Sequence, residues 1–465
     1  MRLLTIVLAI AAGMTDTAAG QADCPPGSQC VREGPHVEVE RLVGLFSEAI
    51  ESQQMAEAEV LAKRIIEMSI QIDGRDSTGA AKALTMLAVA QHHQAQYLPA
   101  IQNYRAAIDT IETVEGMLSP ELIRPLQGLG ESEMALGELG AARDTFTRAV
   151  HVSHVNDGPN SLGQSDSLDA ITETYRREGQ LANALRTQDV ALKIKERAFG
   201  SESPELIPAL QSYADWMNRL RLPNRERNTH SRILDLKEEH FGKTDIALLP
   251  TLIELGVSVR KSGYALSEGE LGPELGLSVD EGLDDDYVVR SVKPDYYLRR
   301  AMEIADEHPA SDWRLATRTA LEIGDYYSRV RRLVKARLAY EDAWDRLSGF
   351  PEGIRIRRDE LEATRPLTRP FLPDYFENQS PVFRTVDTEG FEPASIEVLY
   401  DVSKLGKTVN IRIVESRPAG LDKIEEFLLD ALKDQVHRPR MQDREIVDST
   451  DLTFVYEFRI RASAE

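Results

Sequence analysis

His151 and His154 stand three residues apart, a spacing that puts two imidazoles on one helix face within reach of one metal ion. No third ligand accompanies them, and His92-His93 offers none, so these residues read as surface histidines. Asp280, Glu281, Asp284, Asp285 and Asp286 form an acidic run of the kind that binds calcium, but their spacing fits no calcium loop and reads as a solvated acidic segment. The sequence contains no HExxH, GxSxG, phosphate-binding glycine loop or CxxC. The 77 Asp and Glu residues are too numerous to single out an acid–base pair. No catalytic residue, metal or cofactor is therefore expected. Nucleic acid is excluded as a partner by the net charge of −22, because phosphate binding needs a basic footprint.

Small residues recur at a fixed interval. Steps of 42 residues from Phe46 reach Ala88, Gly130, Thr172, Ala214 and Gly256. A second series, 12 residues further on, gives Ala58, Ala100, Ala142 and Ala184, and a third gives Ala107, Ala149 and Ala191. A last unit at Gly324, Ala336 and Ala343 is displaced by 68 − 42 = 26 residues. Such a period means stacked supersecondary units. Each unit reads as two amphipathic helices. In the third, Leu126, Leu129 and Gly130 share one face, Gly137 breaks the chain, and Ala142, Phe146 and Ala149 form the next face. Small residues are needed where helices cross closely, so Gly130 and Ala142 are expected to face each other. At Phe199-Gly200-Ser201 and Phe241-Gly242-Lys243, glycine ends one helix, and Ser, Thr or Asp can open the next.

These residues resemble the tetratricopeptide repeat (TPR) family, in its long variant seen in kinesin light chains, over residues 37–347. The resemblance implies a mainly α fold, a solenoid of about seven helix pairs whose first helices line a concave groove. By that register Glu131, Asp169, Glu173, Asp215 and Asp325 point into the groove. A groove so lined suits a basic or mixed peptide rather than an acidic C-terminus; the alternative is a merely solvated acidic face. From Tyr264 to Asp286 there are eight acidic residues and no basic one, so residues 264–293 read as an insertion within the sixth unit.

Leu3 to Ala12 is almost wholly apolar, follows Arg2, and precedes Ala18, Ala19, Gly20 and Ala22. Residues 1–22 read as a cleaved secretory signal, and no other segment suggests a membrane span. Cys24 and Cys30 are the only cysteines, and export makes a local disulfide within residues 23–36 the expected state. The alternative, lipidation of Cys24, needs a small preceding residue where Asp23 stands.

Residues 348–380, punctuated by Pro351, Pro366, Pro370 and Pro373, read as a linker in which regular helices do not persist. Beyond Pro393 the apolar period becomes two. Ile396, Val398, Tyr400 and Val402 alternate, Lys404 to Lys407 turns, and Val409, Ile411 and Ile413 return. Leu421 to Val436 reads as a helix, and Leu452, Phe454, Tyr456, Phe458 and Ile460 as a last strand. This small α+β (β-β-α-β) domain, residues 381–461, resembles the C-terminal domain of TonB-type energy transducers, with Val414-Glu415-Ser416 before the helix and His437-Arg438-Pro439 after it. The resemblance implies recognition of outer-membrane proteins by strand pairing along Leu452 to Ile460 at a sheet edge, with Thr453, Val455, Glu457 and Arg459 tuning selectivity. Transducers carry an uncleaved membrane anchor. Here a cleavable-looking signal and repeats take its place, so force transmission is not implied.

Together these features lead us to expect a periplasmic or secreted protein-interaction scaffold that binds proteins or peptides, with an accessory TonB-type role in outer-membrane transport and an unrecognised envelope enzyme as the alternatives.

Overall fold

The computed structural model describes residues 34–261, 294–308, 313–368, 370, 372–382 and 390–461. Residues 1–22, read above as a signal, Cys24, Cys30 and the acidic insertion lie outside the described residues. Fourteen helices alternate as seven helix–turn–helix pairs. These are α1 (Pro35–Glu51) with α2 (Met55–Asp73), α3 (Thr78–His93) with α4 (Tyr97–Glu115), α5 (Ile123–Ala135) with α6 (Leu139–Asp157), and α7 (Ser165–Arg177) with α8 (Leu181–Phe199). They continue as α9 (Ile207–Arg219) with α10 (Pro223–Phe241), α11 (Leu249–Lys261) with α12 (Pro294–Glu307), and α13 (Trp313–Arg329) with α14 (Leu333–Ser348). Two compact units divide at Glu226 and Arg227, inside α10.

The turns explain why the period is so regular. The second residue after six of the first helices is left-handed: Gln53, Ala95, Gly137, Gly179, Arg221 and Arg331, with φ between 59° and 84°. The next residue donates its N–H back across the turn, as from Gln54 to Ala49 O at 2.8 Å and from Arg332 to Tyr327 O at 2.8 Å. This is the Schellman arrangement that satisfies orphan helix carbonyls. Second helices end at Gly74, Gly116, Gly158, Gly200 and Gly242, all with positive φ. After the last four of these glycines the next first helix opens through a short 3₁₀ turn whose cap side chain, Ser119, Ser161, Ser203 or Asp245, accepts from the N–H two residues on.

Packing within a pair is set by a small residue against a large one. A Cβ on Gly130 would lie 2.8 Å from the Phe146 ring, and one on Gly324 would lie 2.3 Å from Tyr340. The nearest neighbour of Gly130 is thus Phe146 rather than Ala142, which is itself fully buried. In the sixth pair Gly256 meets Leu298. The large partner follows by 146 − 130 = 340 − 324 = 16 residues in the regular pairs and by 298 − 256 = 42 here, and the difference of 26 is the displacement seen in the sequence. The inserted residues therefore leave the helix pair intact.

The segment read as a linker is partly structured, which corrects the expectation. Helix α15 (Pro351–Glu360) starts with Pro351 in its first turn, where a missing N–H costs nothing. Strands β1 (Arg365–Pro366), β2 (Tyr375–Glu377) and β3 (Ser380–Val382) follow. Pro381 is tolerated because β3 forms one edge of the sheet.

The C-terminal sheet has the order β3-β2-β9-β4-β5, with β4 (Glu392–Val402), β5 (Thr408–Arg417) and β9 (Ser449–Arg461) as its long strands. Strand β4 pairs antiparallel with both β5 and β9. Helix α16 (Asp422–Lys433) covers one face through Ile424, Leu428 and Leu432, packed on Ile396, Val398, Tyr456 and Phe458. Three short strands lie between α16 and β9: β6 (His437–Arg438), β7 (Arg440–Gln442) and β8 (Glu445–Val447). Met441 and Ile446 of the β7–β8 hairpin join the apolar cluster of α13 and α14, so this domain and the last helix pair share a core.

Among the described residues no helix is long and apolar enough to cross a membrane.

Candidate functional site

The first unit contains a concave pocket of about 500 Å³. First helices supply most of its wall: Gln127, Glu131 and Met134 from α5, Asp166, Asp169 and Glu173 from α7, and Trp216 and Arg219 from α9. Phe146 of α6 and Arg176 and Arg177 of α7 complete it. Four carboxylates and three guanidiniums therefore share one cavity with Trp216, Phe146 and Met134.

Three of the five groove residues expected from sequence converge here, in different roles. Asp169 is buried. Its carboxylate accepts from Gln188 Nε2 at 2.8 Å and from Trp216 Nε1 at 3.1 Å. It fixes the indole, and the Arg219 guanidinium stands over that ring at 4.9 Å, within cation–π range. Asp169 is thus a positioning residue. Glu173 accepts from Arg176 at 2.8 and 2.7 Å and from Arg177 at 2.9 Å. The hydrogen bonds from Arg176, and then those from Arg177, hold its carboxyl down at about 2 against the opposing effect of burial. Glu131 is half-buried in the pocket wall. Beside it lies Tyr104, fully buried, its hydroxyl without a hydrogen-bond partner. Burial and then the Glu131 charge push the Tyr104 pKa well above its ordinary value.

The other two do not join them in this pocket. Asp215 is exposed on α9 and does not line the pocket. Asp325, in the second unit, is buried and bound by Arg438 through Nε at 2.8 Å and Nη2 at 2.7 Å. Arg438 also reaches Glu360 Oε2 at 2.8 Å.

Asp166, Arg176, Arg177, Trp216 and Arg219 were not singled out from sequence. A signal was present: one helical turn beyond Glu131, Glu173 and Asp215 lie Met134, Arg176 and Arg219, on the same faces.

The last strand presents Thr453, Val455, Glu457 and Arg459 on its exposed face, as alternation requires. Its edge is open only in part. β2 pairs parallel with Arg459 to Arg461, and the Arg459 N–H already donates to Asp374 O at 2.9 Å. From Leu452 to Glu457 no described strand lies on that side. An open depression of about 660 Å³, lined by Asp374, Tyr375, Arg417, Glu457 and Arg459, adjoins it. His151 and His154 are both exposed.

The chain matches no protein-family model and no curated protein. Solved structures similar to it include BtubC (BKLC) from P. vanneervenii, 16% identical, with a TM-score of 0.38 over 56% of this chain and 93% of that one. A Podosopora anserina putative kinesin light chain with nearly identical TPR-like repeats is 12% identical, with a TM-score of 0.36 over 50% of this chain and 99% of that one. The apo form of RapI is 12% identical, with a TM-score of 0.36 over 67% and 100%. At these values the repeat architecture rests on the periodic geometry above.

Proposed function

We propose that this protein is an interaction scaffold of the cell envelope, periplasmic or secreted, that holds an extended segment of a partner protein in the first-unit pocket. One observation carries the reading. The pocket gathers both signs of charge and an oriented indole on helix faces, the mix that recognises a peptide's side chains and backbone together. The chain is read as having no catalytic role. A TonB-like C-terminal domain is supported by the β4-β5-α16-β9 order, and its β9 face is the second binding surface. An accessory role in outer-membrane transport is the second reading, favoured by the open stretch Leu452 to Glu457 of β9.

Selection of short displayed peptides on the full chain tests the first surface. Selected peptides are expected to lose roughly tenfold or more in affinity, about 1.4 kcal/mol, when Trp216→Ala or Arg219→Ala is introduced. Failure to select any peptide, or binding indifferent to both variants, contradicts the reading. Binding displaced instead by changes at Val455 and Glu457 shifts the function to the strand face.

A further inference from the structure

The turn between α13 and α14 carries the opposite sign of charge from the chain as a whole. From Val330 to Leu338 there are four cations, Arg331, Arg332, Lys335 and Arg337, and no carboxylate, in a protein of net charge −22. All four are exposed. Arg331 and Arg332 make no ion pair among the described residues. Lys335 Nζ stands 5.1 Å from the Tyr327 ring, a contact that orients the ammonium without neutralising it. Arg337 meets Glu341, one turn on, at 3.4 Å. Asp295 of α12, to which the Tyr327 hydroxyl donates at 3.5 Å, is answered by Arg299 at 3.7 Å.

Aliphatic side chains are interleaved with these charges. Val330, Val334 and Leu338 are 45%, 71% and 54% exposed, and Val334 is the most exposed large apolar residue among those described. Val334 and Leu338 share one stripe of α14, with Lys335 and Arg337 on either side of it. The repeat does not impose this composition. The equivalent turn of the first pair, Ser52 to Val60, carries Glu57, Glu59 and no cation, and that of the second, Gln94 to Gln102, carries no charge.

We infer that this turn docks on an anionic lipid surface. Arg331, Arg332 and Lys335 meet headgroup phosphates, while Val330, Val334 and Leu338 enter the boundary with the acyl chains. Shape favours lipid over a peptide. Only Leu333 and Ala336 between Val330 and Leu338 are not exposed, so the surface is a convex tip, whereas a peptide side chain is read in a concavity. The net charge of −22 does not oppose docking, because at physiological ionic strength a charge is felt over only about 8 Å. What the membrane meets is the local sign. Three cations and three aliphatic side chains give weak, reversible attachment. This surface belongs to the second unit, and the inference stands independently of the first-unit pocket.

The test is co-sedimentation of the chain from Asp23 with vesicles, since apolar Leu3 to Ala12 would bind lipid by itself. Vesicles of equal parts phosphatidylglycerol and phosphatidylcholine are expected to bind roughly tenfold or more tightly than phosphatidylcholine alone, and added salt is expected to weaken the binding. Arg331→Gly and Arg332→Gln are each expected to weaken it roughly fivefold, the share of one cation near an anionic surface. Arg331→Gly also relaxes a left-handed backbone at φ 59°, so an unchanged or raised melting temperature separates lost binding from lost fold. Val334→Ser with Leu338→Ser, both exposed, is expected to weaken binding several-fold. No vesicle binding, equal binding to both lipids, or binding indifferent to these changes overturns the inference. If inorganic phosphate at the lipid-phosphate concentration displaces the vesicles, the turn reads a free anion and the lipid assignment is wrong. It is equally wrong if vesicles fail to bind while a synthetic acidic peptide of residues 264–286 binds and Arg331→Gly abolishes that binding.

Discussion

At Gly130 the third helix pair has no room for a side chain, since a Cβ there would sit 2.8 Å from the Phe146 ring. Gly130→Leu is expected to cost roughly 1–3 kcal/mol or more through overpacking; an unchanged melting curve argues against this crossing. Arg438 is held in a different way. It is buried between Asp325 and Glu360, so Arg438→Met leaves two carboxylates facing an apolar side chain. Breaking such a pair costs about 3–5 kcal/mol, measurable by urea unfolding. His437, the neighbouring residue, is fully buried, and neither ring nitrogen has a hydrogen-bond partner. Burial pushes its pKa down to about 4, from an ordinary value of 6.5. The unfolded chain therefore binds a proton in this window that the folded chain refuses. His437 contributes its full stability above about 6.5 and loses it progressively as the pH falls toward 4. His92 has the same sign, with its pKa lowered to about 4 by burial and then by His93. Glu173 acts lower, between 4.5 and about 2. Unfolding free energy measured across this range should fall first in the histidine window, and His437→Gln should flatten that part of the curve.

The helix pairs were legible in the sequence because a close crossing favours small residues, and those recur at most of the crossings. The turn chemistry was legible too but only half read. The glycines at 74, 116, 158, 200 and 242 are a complete set at the same interval, and the structure shows each at a positive φ. The companion set was obscured because Gln53, Ala95 and Arg221 occupy left-handed positions without being glycine. That conformation costs a residue with a Cβ about 1–2 kcal/mol. Ala95→Gly is therefore expected to stabilise the protein by roughly 1 kcal/mol, and a lower melting temperature would contradict the assignment. The linker was misread because proline was counted without regard to position: Pro351 starts a helix and Pro366 lies in the two-residue strand β1. Strands of two or three residues, such as β1, β2 and β6, are too short to carry an apolar period, which is why the covering of the β9 end was missed. Of the site, the acidic positions at Glu131, Asp169 and Glu173 were legible. Their arginine and indole neighbours lie one turn on and come together only when separate helices are placed side by side.

At the scale of the whole molecule, a helical-repeat pocket and a small strand-bearing domain occur in one chain, which we propose is exported. Export predicts that protein isolated from its native envelope lacks Met1 to about Ala22, and that its intact mass fits two oxidised cysteines. Retention of Met1 in an integral membrane fraction would remove the periplasmic assignment and revive the transducer alternative. The central claim is that partners are held by the concave faces of the first unit. Hydrogen–deuterium exchange of the full chain, with and without a peptide selected on it from a displayed library, tests it most directly. Protection is expected in Ile123–Ala135, Ser165–Arg177 and Ile207–Arg219, the three helices whose side chains line the pocket. Protection confined to Ser449–Arg461, or none in these three helices, would contradict it.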